Sequence, residues 1–144
     1  KLSPLAWRMI RERDDEWVKA GEKLIEGLGK NLDLERQLRI IQGVAEESDS
    51  WEAVKLFILY QGSRKETKID RLWAQKAVEK LELLKSRAEE FSRQTRDDKK
   101  DLHLELVSRV LGYAVRWRKV EEERRKEEES KGRAREKEKE GAGR

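Results

Sequence analysis

The chain has 144 residues, 46% of them charged and 35% hydrophobic, with a net charge of +4 and no cysteine. That length reads as one domain, and the missing cysteines exclude disulfide frameworks, thiolate zinc sites and thiol nucleophiles together. No apolar run approaches the ~20 residues of a membrane-spanning helix, and no basic-then-apolar leader opens the sequence, so the expected compartment is the cytoplasm. Ser3-Pro4 is an N-cap followed by proline at the first helical position. From there Trp7, Ile10, Trp17, Leu24 and Leu28 recur at helical spacing and predict one helix running to Gly29, with Asp14 and Gly21 as weak points in the stripe. A second helix is predicted from about Asp33 to Ala45, with Leu34, Leu38 and Ile41 on one face.

The stretch "ESDSWE" breaks the chain, with Asp49 as the expected cap and Glu52 three residues later. The third helix, Ser50 to about Gln61, carries Trp51, Val54, Phe57 and Ile58 on one face and Leu56, Leu59 and Tyr60 on much of the rest. A helix apolar nearly all round reads as a buried one. It is therefore expected to be the central rod, with Trp51 and Phe57 in the core and Gly62 ending it. A fourth helix, about Lys68 to Gln94, repeats Ile69, Trp73, Ala77, Leu81, Leu84, Ala88 and Phe91. Thr95 with Asp98 caps a fifth, whose inward positions are Leu102, Leu106, Val110, Ala114 and Trp117. No stretch alternates with period two. The predicted fold is all-α: a compact bundle of about five helices over residues 1–119, then a charged tail over 120–144.

Residues 120–144 hold nine Lys/Arg and nine Asp/Glu, so the net +4 falls on residues 1–119. Glu121–Arg125 and Glu122–Lys126 are spaced to pair at i,i+4 and to prolong the last helix. The expected state of this segment is nonetheless a solvated or frayed tail. Heavy use of Lys, Glu and Arg with five Gln and one Asn leads us to expect a thermophilic source. The sequence opens on Lys, from which we expect a natural start to be missing.

No catalytic constellation emerges. His103, the one histidine, sits between leucines in "DLHLEL" without a ligand-spaced partner, which reads as structural. Asp14-Asp15 and Asp97-Asp98 are pairs that a chain with 31 acids produces by chance. "GLGK" at Gly27–Lys30 lacks the phosphate-loop spacing and follows a helix. We expect no enzymatic activity, no metal and no cofactor. The basic residues carry more. Arg36 and Arg39 lie on the second helix, Lys55 on the third, and Arg116, Arg118 and Lys119 flank Trp117. Singly, each reads as a solvated charge. Around the Gly62 turn, however, Arg64, Lys65 and Lys68 face only Glu66 within "QGSRKETK", and Arg71 follows. A turn of small residues and cations after a rigid helix is an edge suited to phosphate.

Three segments carry a resemblance: "RQLR" at Arg36–Arg39, "WEAVKLFILYQGSR" at Trp51–Arg64 and "LVSRVLGYAVRW" at Leu106–Trp117. Together they resemble the helical small subunit of type III-A (Csm-type) CRISPR RNA-guided effector complexes over roughly residues 30–120. In that family the first of these segments usually reads Ser-Gln-Leu/Ile-Arg, with Ser where this chain has Arg36. The resemblance implies a non-catalytic subunit present in several copies, which would line the complex and hold guide and target RNA by its backbone. Its partners would be CRISPR RNA, target RNA, other subunits and further copies of itself. The positions it carries over are Arg39, Arg64 and Lys55. Lys65, Lys68 and Arg116 join them as candidate RNA-binding residues from the charge pattern alone. Two alternatives stay open: the related small subunit of Cmr-type complexes, and a helical protein–protein adaptor with no nucleic-acid role. Convergence of Arg39, Arg64 and Lys65 on one face separates the RNA reading from the adaptor.

Overall fold

The computed structural model describes residues 1–31 and 33–142. Ser3 caps the first helix, its hydroxyl accepting from the Ala6 N–H at 3.2 Å, and Asp97 holds Ser3 in turn through its backbone N–H at 2.9 Å. Helix α1 runs Pro4–Glu12 and α2 runs Asp14–Leu24, so the single long helix expected here is two. The break has a local cause. The Trp17 indole donates to the Ile10 carbonyl at 2.8 Å, and the Arg13 N–H also turns onto it at 3.2 Å. That carbonyl is the one a continuous helix would have offered to Asp14. Asp14, Asp15 and Glu16 then open α2, where acids favour the positive end of the helix dipole.

Helix α3 (Leu34–Glu47) matches its prediction within two residues at its end, and α4 spans Trp51–Ser63. The cap of α4 is Ser50 rather than Asp49: its hydroxyl accepts from the Ala53 N–H at 3.1 Å. A 3-10 turn at Lys65–Thr67 leads to α5 (Arg71–Glu82), which Asp70 caps by accepting from the Trp73 N–H at 3.1 Å. The predicted fourth helix also splits, into α5 and α6 (Leu84–Thr95), at an exposed Leu83. Leu81, Leu84 and Ala88 keep inward spacing across that bend, which is why periodicity did not reveal it. The final helix, α7, is 44 residues long from Lys99 to Ala142, and Asp98 caps it by accepting from the Lys100 N–H at 2.7 Å. All regular structure among the described residues is helical.

The central rod is the first half of α7, not α4. Helices α2, α3 and α6 all pack on it, and Leu102, Leu106, Val110 and Ala114 are buried as their spacing predicts. The α2–α7 approach requires Gly21. A Cβ there would lie 2.7 Å from the Tyr113 Cβ and 2.9 Å from the Ala114 backbone nitrogen. Against α3, Gly112 faces the Gln42 side chain. Helix α4 packs mainly on α5, where Gly62 abuts Ala74, and it lies at the edge of the molecule. Its Trp51, Val54 and Ile58 face inward, Phe57 and Leu59 are half-buried, and Leu56 and Tyr60 are 68% and 56% exposed. An apolar surface all round thus did not bring a partner to every side.

The charged segment after Val120 continues as helix through Gly132, exposed along nearly all its length. Its ion pairs among the described residues include Lys119–Glu123 at 3.3 Å and Arg133–Glu129 at 3.9 Å, but not the expected Glu121–Arg125 and Glu122–Lys126. Glu122 instead turns inward to Arg118, and both are buried. The packed part of the chain therefore extends at least to Glu122.

His103 is a core residue. Its Nε2–H donates to the Leu81 carbonyl at 3.0 Å, and its ring meets Trp51 edge-on with centroids 5.0 Å apart. Burial holds its pKa below the ordinary histidine value despite the bond to Leu81 and the nearby Glu82. The unfolded chain thus binds a proton that the folded chain resists. Stability should fall as pH drops through the ordinary value of about 6.5, levelling off once the buried ring also protonates. Urea midpoints measured from neutral pH downward should show this step, and His103→Phe should lack it. An identical pH dependence in both proteins would show that the ring does not titrate in this way.

Candidate nucleic-acid interface

The turn that closes α4 is pinned from inside. Thr67 is buried, and its hydroxyl lies 2.6 Å from the Gln61 carbonyl and 3.0 Å from the Arg64 carbonyl. Lys68 follows in the left-handed region at φ 61°, which turns the chain toward the Asp70 cap of α5. The buried polar residue fixes the backbone, and the side chains between face water: Arg64, Lys65, Glu66 and Lys68 are all exposed. Arg64 reaches Glu66 at 3.7 Å, and its guanidinium carbon lies 5.6 Å from the centroid of the Tyr60 ring. Among the described residues no carboxylate lies within ion-pair range of Lys65, Lys68 or Arg71. Cations here also suit the negative end of the α4 dipole, so one arginine would have a purely structural explanation. Several unpaired cations on one braced turn make a positive edge that the dipole alone does not require.

The remaining candidates divide. Arg39 is exposed on α3 but already bound to Glu35 at 2.5 Å, one turn back. Arg116 is exposed on α7, with its guanidinium 5.1 Å from the Tyr113 ring. Helices α3 and α7 are antiparallel and set Gln42 against Gly112. Arg39 and Arg116 thus sit on two helices that pack together, each about one turn from that contact. Lys55 does not join this group. It lies toward the other end of α4, 3.9 Å from Glu52 and within the field of Glu82. The fold therefore brings Arg64, Lys65 and Lys68 together on one turn. Arg39 on α3, Arg116 on α7 and Lys55 toward the start of α4 lie outside that turn.

A carboxylate also stands near Arg116. Asp14 accepts from the Arg109 guanidinium at 3.0 Å and from the Tyr113 hydroxyl. Burial opposes its charge, yet those bonds, with Arg116 nearby, outweigh it and hold the carboxyl below its usual range. Arg116 thus faces a carboxylate that stays ionised. Sequence reading missed two members of the turn. Tyr60 was assigned to a buried face, though its i,i+4 spacing to Arg64 was visible. Thr67 offered no signal, because its role depends on carbonyls freed where α4 ends.

Clefts elsewhere are of mixed character. One, about 360 Å³, lies between the starts of α4 and α7 and is lined by Trp51, His103, Lys85, Lys99 and Lys100 together with Asp49, Glu52 and Glu89. Its opposite charges balance, and both helix starts are already capped by Ser50 and Asp98. No family model matches the chain, and neither a curated protein nor a solved structure matches it.

Proposed function

We propose that this chain is a non-catalytic, cytoplasmic subunit that holds RNA through sequence-independent phosphate contacts, as in the Csm-type CRISPR RNA-guided effector complexes that its sequence resembles. The observation that supports this reading is the braced turn after α4, where Arg64, Lys65 and Lys68 stand exposed with Glu66 as the one acid among them. Backbone contacts of this kind carry no sequence information. They suit a complex in which base pairing reads the target while protein reads shape and charge. The CRISPR RNA, its target and further subunits would be the partners. Several copies on one strand would act as a linked array, adding avidity to a weak single-copy affinity.

The test is a salt titration. With two or three phosphate contacts per copy, the log–log slope of affinity for single-stranded RNA should be roughly −0.7 per contact. Arg64→Glu should weaken retention of every RNA sequence alike and make that slope shallower, leaving the fold intact because the side chain is exposed. Arg39→Glu should have a smaller effect, since Arg39 is already neutralised by Glu35. An unchanged slope in Arg64→Glu would leave these cations as solvated surface. The second reading, a helical adaptor for another protein, draws on the exposed Leu72 and Leu83 at either end of α5. Loss of co-purifying protein in Leu83→Glu, without loss of RNA, would favour it.

A further inference from the structure

Tyr60 and Leu56 are out of place in a chain this polar. They sit one turn apart on α4, both more than half exposed, and no hydrogen bond involves the Tyr60 hydroxyl among the described residues. The surface beyond them is the cationic turn. Arg64, one turn on, lies over the Tyr60 ring at 5.6 Å, followed by Lys65 and Lys68. The platform is braced from behind. Thr67 holds the carbonyls of Gln61 and Arg64, and Gly62 allows α5 to pack so closely that a Cβ there would lie 2.6 Å from that of Ala74.

We propose that Tyr60 is a stacking platform for an unpaired nucleobase, with Arg64, Lys65 and Lys68 holding the phosphates of the same strand, so that this face takes single-stranded rather than duplex nucleic acid. The inference rests on the RNA-holding reading above and adds to it the state of the strand and a residue that touches the base. An aromatic face beside a line of cations is what single strands bind, since every base has a π-face and every nucleotide a phosphate. Arg64 contributes to both: its guanidinium lies over the ring as a cation and is also suited to phosphate. A duplex offers this surface no free base face, only its backbone charge. Charge selects the occupant here. A purely apolar protein partner has no use for three cations at the rim of a patch built on two exposed side chains.

The full chain would be titrated with a short unstructured RNA, with an abasic strand of equal length and with an RNA duplex. Tyr60→Ala should weaken binding of the single strand about tenfold. It should leave the salt slope and the affinities for the abasic strand and the duplex unchanged, because no phosphate contact is lost. Tyr60→Phe should bind like the parent protein. A strand carrying 5-iodouridine should cross-link on irradiation to the peptide that contains Tyr60. If Arg64→Glu weakens binding while Tyr60→Ala does not, stacking is overturned and the phosphate reading stands. If neither the parent protein nor any variant binds these RNAs, both fall. If Tyr60→Ala and Leu56→Ala abolish association with a protein and leave RNA affinity intact, the face is a protein-docking surface and the proposal is wrong.

Discussion

Arg118→Ala should destabilise the protein by about 3–5 kcal/mol, because it leaves Glu122 buried without its partner. The side chains of Arg118 and Glu122 are only 4% and 5% exposed, and they lie 3.4 Å apart one turn from each other on α7. A guanidinium Nη2 also donates to the Asn31 carbonyl at 3.0 Å. Residues 25–30 lie beside Arg118, in a stretch turned by positive φ at Gly27 and Gly29. Among the described residues the Arg118 Nε and Glu122 Oε1 have no hydrogen-bond partner. Such a pair is costly to break yet contributes little net stability, so replacing both residues by apolar ones, Arg118→Met with Glu122→Leu, should be neutral or stabilising. Urea unfolding of the single and double variants measures both effects. A single variant as stable as the parent would mean that the pair is solvated. Length follows the same logic. A chain ending at Val120 strands Arg118 and should melt early, whereas one ending just after Glu122 should keep its stability.

Trp17→Ala should cost a similar amount, about 3–5 kcal/mol, which is a large share of the 5–15 kcal/mol that holds an ordinary domain together. Trp17 is fully buried, with its ring edge-on to Phe91 at a centroid distance of 6.3 Å. It also shapes the chain, since its indole occupies the Ile10 carbonyl at the α1–α2 break. Trp17→Phe should separate the two roles. It keeps most of the apolar surface and loses one hydrogen bond, worth about 1 kcal/mol. Thermal melts that leave Trp17→Ala within 1 °C of the parent would place Trp17 outside the core, because about 1 kcal/mol already shifts a domain of this size by several degrees.

Local physics carried much of the fold into the sequence. Ser3 and Asp98 are caps because an acceptor before a helix start satisfies free backbone N–H groups wherever the helix lies. Ile10, Trp17, Leu34, Leu38, Ile41, Trp73, Leu81 and Phe91 are buried as their three- and four-residue spacing requires. The basic turn after Gly62 was also legible, since charge and glycine are properties of single positions. Its brace was not, because Thr67 acts through carbonyls that become free only once α4 has ended.

By itself, then, the sequence determined that the chain is helical, which residues of most helices face inward, and where its exposed cations cluster. Tertiary structure alone decided that α7 is the axis, that α4 lies at the edge with Leu56 and Tyr60 in solvent, and that Glu122 leaves the charged tail for the core. The reason is that burial of apolar surface is non-directional. A stripe of leucines states that something must cover it and leaves open what does. The break at Arg13 is of the same kind: it depends on an indole competing for a carbonyl seven residues away, a contest that exists only after Trp17 has been packed against Phe91.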